Sequence, residues 1–351
     1  MAIESAIPEH LQCPRTRTPR ASAEYAPPYP AWVARLRPSV KQLTMAYHGV
    51  QWCQQEQRSG ALAAVRQLTE LLKSTNGPRH SDCSHYLDEA GHDTIIVASY
   101  WDNPASFDKW CKSQPVHQWW MSPARQQQGL GCFREIYSPR STHMETLFST
   151  PDRFEGVALL AEGRSGEIQE HAYWGSARDR LPASQTEPLT PAGQAARRTV
   201  SEGRILVSGH EHLALIRSGQ DWSKTTGRER ALYLDQVEPV LRQGMDFLRD
   251  AGASVGCYFN RYLTRVDVGC KPQEKSFGLS AWRSLEHMER WAESHPTHIA
   301  IFGNFMSMVQ ELNAQLQLRL YHEVTIVKAD EQQFEYVNCH PRTGLLKAAA
   351  E

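Results

Sequence analysis

The spacing of apolar residues along this 351-residue chain divides it into short stretches of period two and period 3.6. Segments 44–55 and 93–101 are rich in β-branched and aromatic residues and read as strands. Segment 60–74 between them repeats its apolar positions at helical spacing. Segment 204–220 predicts two short strands around Gly209-His-Glu-His212. LRLYHEVTIV, 318–327, predicts another, with Leu318, Leu320, His322, Val324 and Ile326 sharing one face, so that His322 is expected on the core side. The amino-terminal stretch differs. Closely spaced prolines between Tyr25 and Trp32 exclude a continuous helix or a central strand. An extended arm is expected there, with Tyr25, Tyr29 and Trp32 as the surface that packs on the rest of the fold or on a partner subunit.

One pattern recurs. Trp101, Trp110, Ser113, Pro115 and His117 match Trp282, Trp291, Ser294, Pro296 and His298 at a constant offset of 181, and each copy leads to a strand-like end, Cys132–Ile136 and Leu320–Val324. A duplicated β-α-β unit follows. The expected fold class is α+β: two ferredoxin-like repeats whose sheets meet as an antiparallel β-barrel flanked by helices, of the dimeric α+β barrel type. The expected organisation is an arm over 1–40, a first half over 41–150, a connecting strand and long polar loop over 151–203, and a second half over 204–351. Pro182, Pro188, Pro191 and Gly193 mark that loop, and the aromatic run from His171 to Arg180 at its leading edge is expected to be anchored.

The two copies differ where chemistry can begin. Ser284 is a natural N-cap, and Pro296 both ends one helix near His295 and starts the next. His298 then heads an apolar stripe of Ile301, Phe302, Phe305, Met306 and Val309. His117 cannot do the same, because Pro123 stops its helix almost at once. A histidine on an apolar helix face is ordinarily a hydrogen-bonded core residue; a large flat cofactor is the alternative that explains the width of the stripe. His322 is likewise either a satisfied core histidine or a general acid–base group. Ser218, in phase with Ala214 and Ile216, reads as a turn residue, and Arg178 as a solvated loop arginine, unless a ligand lies beside both.

Composition narrows the partners. With Lys+Arg 38 against Asp+Glu 39 the net charge is -1, which leaves no broad footprint for nucleic acid. No run approaches the roughly 20 apolar residues that span a bilayer, and the amino terminus has no apolar signal core. The eight cysteines show no C-x2-C spacing, and reduced thiols in the cytoplasm are the simplest account. Cys13-Pro14 and Cys339-His340 are dipeptides that chance supplies easily.

Long blocks of the chain resemble the haem-containing aldoxime dehydratases, including the phenylacetaldoxime dehydratases. They are Cys13–Thr16, Pro27–Arg35, Ala172–Arg180, Ala214–Trp222, Trp291–His298, Arg319–Glu323 and Phe334–Pro341. The resemblance implies a lyase that converts an aldoxime to a nitrile and water, with non-covalent haem b active in the ferrous form. It places the proximal ligand on His298, beside Ile301, Phe302 and Phe305. It places a catalytic histidine on His322, a substrate-holding serine on Ser218, an arginine on Arg178 and a supporting glutamate on Glu145. It also implies a homodimer. Ala172 and Ala177 depart from the family's expected Gly and Met, which is a steric change only. The rival readings are a haem peroxidase or chlorite-dismutase-like enzyme, and a haem carrier or gas sensor, which needs no acid–base histidine.

Overall fold

The computed structural model describes residues 3–127, 129–267 and 269–349. Among them, twelve strands form one antiparallel sheet. They are β1 (Thr44–Trp52), β2 (His80–Leu87), β3 (Asp93–Trp101), β4 (Gly131–Tyr137), β5 (Met144–Phe148) and β6 (Ala196–Ser201). The remainder are β7 (Arg204–Ser208), β8 (Leu213–Asp221), β9 (Cys257–Val266), β10 (Pro272–Trp282), β11 (Arg319–Val327) and β12 (Gln332–Val337). The helices that bear on the site are α1 (Arg58–Leu72), α2 (Pro104–Lys112), α3 (Gln114–Met121), α4 (Ser176–Arg180), α5 (Glu238–Ala251), α6 (Leu285–Ser294) and α7 (Pro296–Glu311).

The spatial order is β5-β11-β8-β10-β9-β2-β3-β1-β4-β12-β7-β6. Two runs, β1 to β4 and β8 to β11, repeat one topology: the first strand lies between the fourth and the third, and the second lies outside the third. They join where β9 pairs with β2. Each run then gives its next strand to the other, β5 to the edge of β11 and β12 to the edge of β4.

The expected barrel is not closed, because among the described residues the outermost strands β5 and β6 do not pair with each other. Instead the long sheet twists and folds across its own inner face, as sheets of this size tend to. Arg217 of β8 reaches Asp82 of β2 at 3.1 Å and Tyr100 of β3 at 2.6 Å, and Arg261 of β9 grips Glu135 of β4 at 2.6 and 2.7 Å. These buried pairs sit among Tyr47, Phe133, Tyr137, Leu215, Phe277 and Tyr336. Periodicity identifies which side chains share a face, but edge closure depends on hydrogen bonds between strands far apart in sequence, which no local pattern encodes.

The outer face is covered by helices, and the repeat is visible in its packing. Trp101 meets Trp110 with ring centroids 5.3 Å apart, and Trp282 meets Trp291 at 5.6 Å. Ser284 caps α6 by accepting from the His287 amide, and α7 starts at Pro296. In the first copy α3 ends at Met121, two residues before Pro123, and His117 is exposed. The arm packs on its own chain: Tyr25 stands 4.9 Å from Tyr173, Tyr29 5.3 Å from His171, and Trp32 bonds to Phe148 at the free edge of β5. That contact covers a strand edge that would otherwise be open to pairing. The 178–202 region is less irregular than its prolines imply, since it contains the buried turn Pro182–Gln185 and strand β6. Gln185 holds the turn by bonding to Leu11, Cys13 and Thr16 of the arm.

Candidate active site

Strands β8 and β11 are neighbours, and Ser218 stands directly opposite His322. Both are half-buried on the helix-facing side, in phase with Ala214, Val324 and Ile326, which pack against α6. Strand β5 flanks β11, and its Glu145 shares that side. The Glu145 carboxylate is 3.0 Å from His322 Nε2. Arg180, at the end of α4, donates from Nε to Glu145 Oε2 at 2.7 Å and from Nη2 to His322 Nε2 at 2.8 Å. It is further fixed by Glu170 O at 2.7 Å and Ser176 Oγ at 3.0 Å.

Burial by itself would raise the Glu145 carboxyl, but the charges and hydrogen bonds of Arg180 and His322 outweigh it and hold the group below the usual carboxylate range. Glu145 is therefore a carboxylate near neutral pH. Both forms of the His322 imidazole have a partner: the neutral ring accepts from Arg180, and the cation donates to Glu145. Since Nε2 is engaged by these two groups, Nδ1 is the nitrogen left to meet a ligand.

His298 lies in the first turn of α7. Its Nδ1 is 2.8 Å from Ala292 O, and because a carbonyl can only accept, Nδ1 carries the hydrogen and Nε2 offers its lone pair. Burial lowers its pKa, against a smaller opposing effect of that bond, so the ring is kept neutral. A neutral imidazole oriented through a backbone carbonyl is what an axial metal ligand requires. The helix around it is apolar, yet of Pro296–Glu311 only Met308 is buried, while Ile299 and Phe302 are 49% and 43% exposed. So much exposed apolar surface beside a ligand-ready imidazole fits a large flat apolar group. Three of the five stripe residues diverge around it. Ile301 leans on Gly244 of α5, where a Cβ would meet Ile301 Cδ1 at 2.5 Å; Phe305 joins Leu318 and Leu320; Phe302 faces Trp174 at 5.3 Å.

One segment links the two histidines. Trp174 lies 5.6 Å from the His298 ring, and six residues later Arg180 contacts His322. Tyr25 clamps the start of this segment through His171 O and Ala172 O. Ala172 sits at φ 62°, the left-handed region that a glycine would adopt without strain. Arg178 does not join the cluster. Its guanidinium binds Glu289 of α6 at 2.5 to 3.1 Å and anchors the segment there. Residues two apart on a helix point to different sides, so the arginine of the cluster is Arg180, inside the same sequence block. Cys13 is exposed; Cys339 Sγ turns to Cys132 O and His340 to Asp88.

Residues 46–345 match the model of the haem-containing dehydratase family. The chain belongs to this family. It is 46% identical over 350 residues, 99% of each chain, to an aliphatic aldoxime dehydratase of Pseudomonas chlororaphis. It is 31% identical over 322 residues, 90% of each, to the phenylacetaldoxime dehydratase of Bacillus sp. (strain OxB-1). A solved aldoxime dehydratase in complex with butyraldoxime superposes with a TM-score of 0.96 at 44% identity, covering 99% of this chain and 97% of that one. No described helix is long and apolar enough to cross a membrane.

Proposed function

We propose that this chain is an aldoxime dehydratase, converting R-CH=N-OH to R-C≡N and water with haem b held by His298. The observation that carries the reading is the single segment Trp174–Arg180, which joins the His298 helix to the His322–Glu145–Arg180 cluster. Haem held by His298 would supply an iron that binds the oxime nitrogen and pushes electron density toward the N–O bond. The chain's own groups then move the protons. His322, as imidazolium supported by Glu145, gives a proton to the departing hydroxyl, which leaves as water. The neutral ring, its remaining hydrogen on Nε2 toward Glu145 Oε1, takes the proton from the oxime carbon on the bare Nδ1 as the C≡N bond forms. Ser218 opposite holds the oxime oxygen near the imidazole. Arg178 positions the segment through Glu289.

A peroxide-cleaving site is less well served, because Arg180 is committed to Glu145 and His322. The strand order of both halves supports reading them as ferredoxin-like repeats. A homodimer in the cytoplasm completes the proposal. The test is anaerobic: ferrous haem-loaded protein is given butyraldoxime and phenylacetaldoxime, and the nitriles are quantified. Turnover of either substrate supports the reading; a haem-replete ferrous protein that forms neither nitrile overturns it.

A further inference from the structure

The histidine of Gly209-His-Glu-His212 that precedes β8 takes no part in the chemistry above, yet its ring is unusually placed. His212 Nδ1 is 2.7 Å from Thr190 O, which fixes the hydrogen on Nδ1 and leaves Nε2 as a lone pair. That Nε2 is buried and has no hydrogen-bond partner. A buried lone pair without a donor is a cost that a fold ordinarily avoids. Beside it, His143 lies with its ring nearly parallel, centroids 6.5 Å apart, and its Nε2 is 3.2 Å from Glu187 Oε2. The His143 Nδ1 pairs with Thr142 Oγ1 at 2.9 Å. One ligand atom each from His143, Glu187 and His212 falls within 4.8 Å of the other two.

We infer that His143, His212 and Glu187 form a second metal site, separate from the haem, for a borderline divalent cation of the zinc type. Two imidazoles and one carboxylate suit such an ion, with water as a fourth ligand. Ligand atoms of a tetrahedral zinc stand roughly 3.3 Å apart when the bonds are about 2.0–2.1 Å, close to the 3.2 Å between His143 and Glu187. A proton between those two would explain that distance alone, but it leaves His212 Nε2 unaccounted for. A cation accounts for all three. The carbonyl behind His212 and the hydroxyl behind His143 are the outer partners that orient metal-bound imidazoles. Glu331 near His143 adds negative charge and Lys328 opposes it.

The site has a structural consequence. His143 immediately precedes β5, which carries Glu145; His212 immediately precedes β8, which carries Ser218; Glu187 belongs to the central loop. One ion would tie that loop to the starts of both strands that furnish the active site. The test uses tag-free, haem-loaded full-length protein, stripped with a chelator and titrated with Zn²⁺ against a chromophoric competitor, with zinc and iron counted by mass spectrometry. One zinc per chain is expected beside one haem iron, together with a zinc-dependent rise in the thermal midpoint. His212→Ala should weaken zinc binding at least about 100-fold, and Glu187→Gln about 10-fold or more. Zinc should protect neither variant from heat at concentrations that protect the parent. His340→Asn, in the separate Asp88–His92–His340 group, should leave zinc binding intact. Absence of zinc binding by the parent, or binding unchanged in both His212→Ala and Glu187→Gln, overturns the assignment.

Discussion

Glu145 is proposed to act through His322, and a double-mutant cycle tests this. Glu145 and Arg180 are each 1% exposed, whereas His322 is 24% exposed. Breaking a buried ion pair by removing one partner costs about 3–5 kcal/mol. Arg180 keeps Glu170 O and Ser176 Oγ, so Glu145→Leu should fall near the lower end, about 3 kcal/mol. Glu145→Gln keeps an acceptor for Arg180 Nε and should cost only about 1–2 kcal/mol, which makes it the variant for kinetics. His322→Ala removes a half-buried ring and should leave haem binding and most stability in place. Its turnover should fall at least about 100-fold, or about 2.7 kcal/mol in the barrier. If the carboxylate serves only to support the imidazolium, Glu145→Gln has nothing left to remove once His322 is gone. The double variant should then be no slower than His322→Ala alone, with a coupling energy of about 1.4–2.7 kcal/mol. The measurement is single-turnover nitrile formation at saturating butyraldoxime, normalised to haem content. Multiplicative losses in the double variant would show that Glu145 acts on substrate or structure independently, and the proposed relay would be wrong.

His298→Ala should yield protein largely lacking haem while His117→Ala retains it; pyridine haemochrome quantitation decides, and the reverse result would mean that the wrong copy of the repeat was chosen. Arg180→Met should cost at least about tenfold more turnover per haem than Arg178→Met, and equal losses would contradict the separate roles assigned to the two arginines. His48 is buried beside Arg134, and burial first, then that charge, hold its pKa at about 3 against about 6.5 for an unfolded histidine. The unfolded chain therefore gains a proton as pH falls below about 6.5 while the folded chain does not, so up to about 5 kcal/mol of stability, complete above that pH, is lost on approach to pH 3. His48→Phe should flatten this limb in denaturant titrations from pH 7 to 4, and parallel pH profiles of parent and variant would refute the account.

The repeat was legible because its tryptophans do the same work twice, each closing a helix onto the end of a strand. The starts of α6 and α7 were legible because Ser284 and Pro296 are local signals that tertiary contacts did not need to override. The period of two placed Ser218 and His322 on helix-facing sides of their strands, but it could not show that those strands are neighbours with the two residues in register. The arginine was the least legible. Arg178 and Arg180 share a five-residue helix and a sequence block, and only the positions of Glu289 and Glu145, far away in sequence, decide which of them reaches His322. Closure of the sheet was illegible for the same reason.

The register also bears on why the proposed site lies in one half only. His48 of β1 faces Val97 on one side and Arg134 on the other, while Ser218 of β8 faces Gly278 and His322. Val97 and Gly278 each stand four residues before the tryptophan that ends their strand, so His48 occupies the place of Ser218, and Arg134 that of His322. The first half holds its own charged cluster there, with Arg134 bound to Glu335 at 2.7 Å and Arg204 bound to the same carboxylate. Trp120 seals it, 4.8 Å from Arg134 and 5.7 Å from Arg204. The equivalent of Trp120 at the 181-residue offset is Ile301, which leans away toward α5 and covers nothing of the kind. An indole with large apolar area beside two guanidiniums makes the first cluster a packed core. A shorter aliphatic at that position, a helix extended to Glu311 and a histidine in its first turn leave the second cluster facing apolar surface that a cofactor can cover. The duplicated frame holds a charged group at the same place in both halves, and the residue that the following helix sets over it decides between core and chemistry.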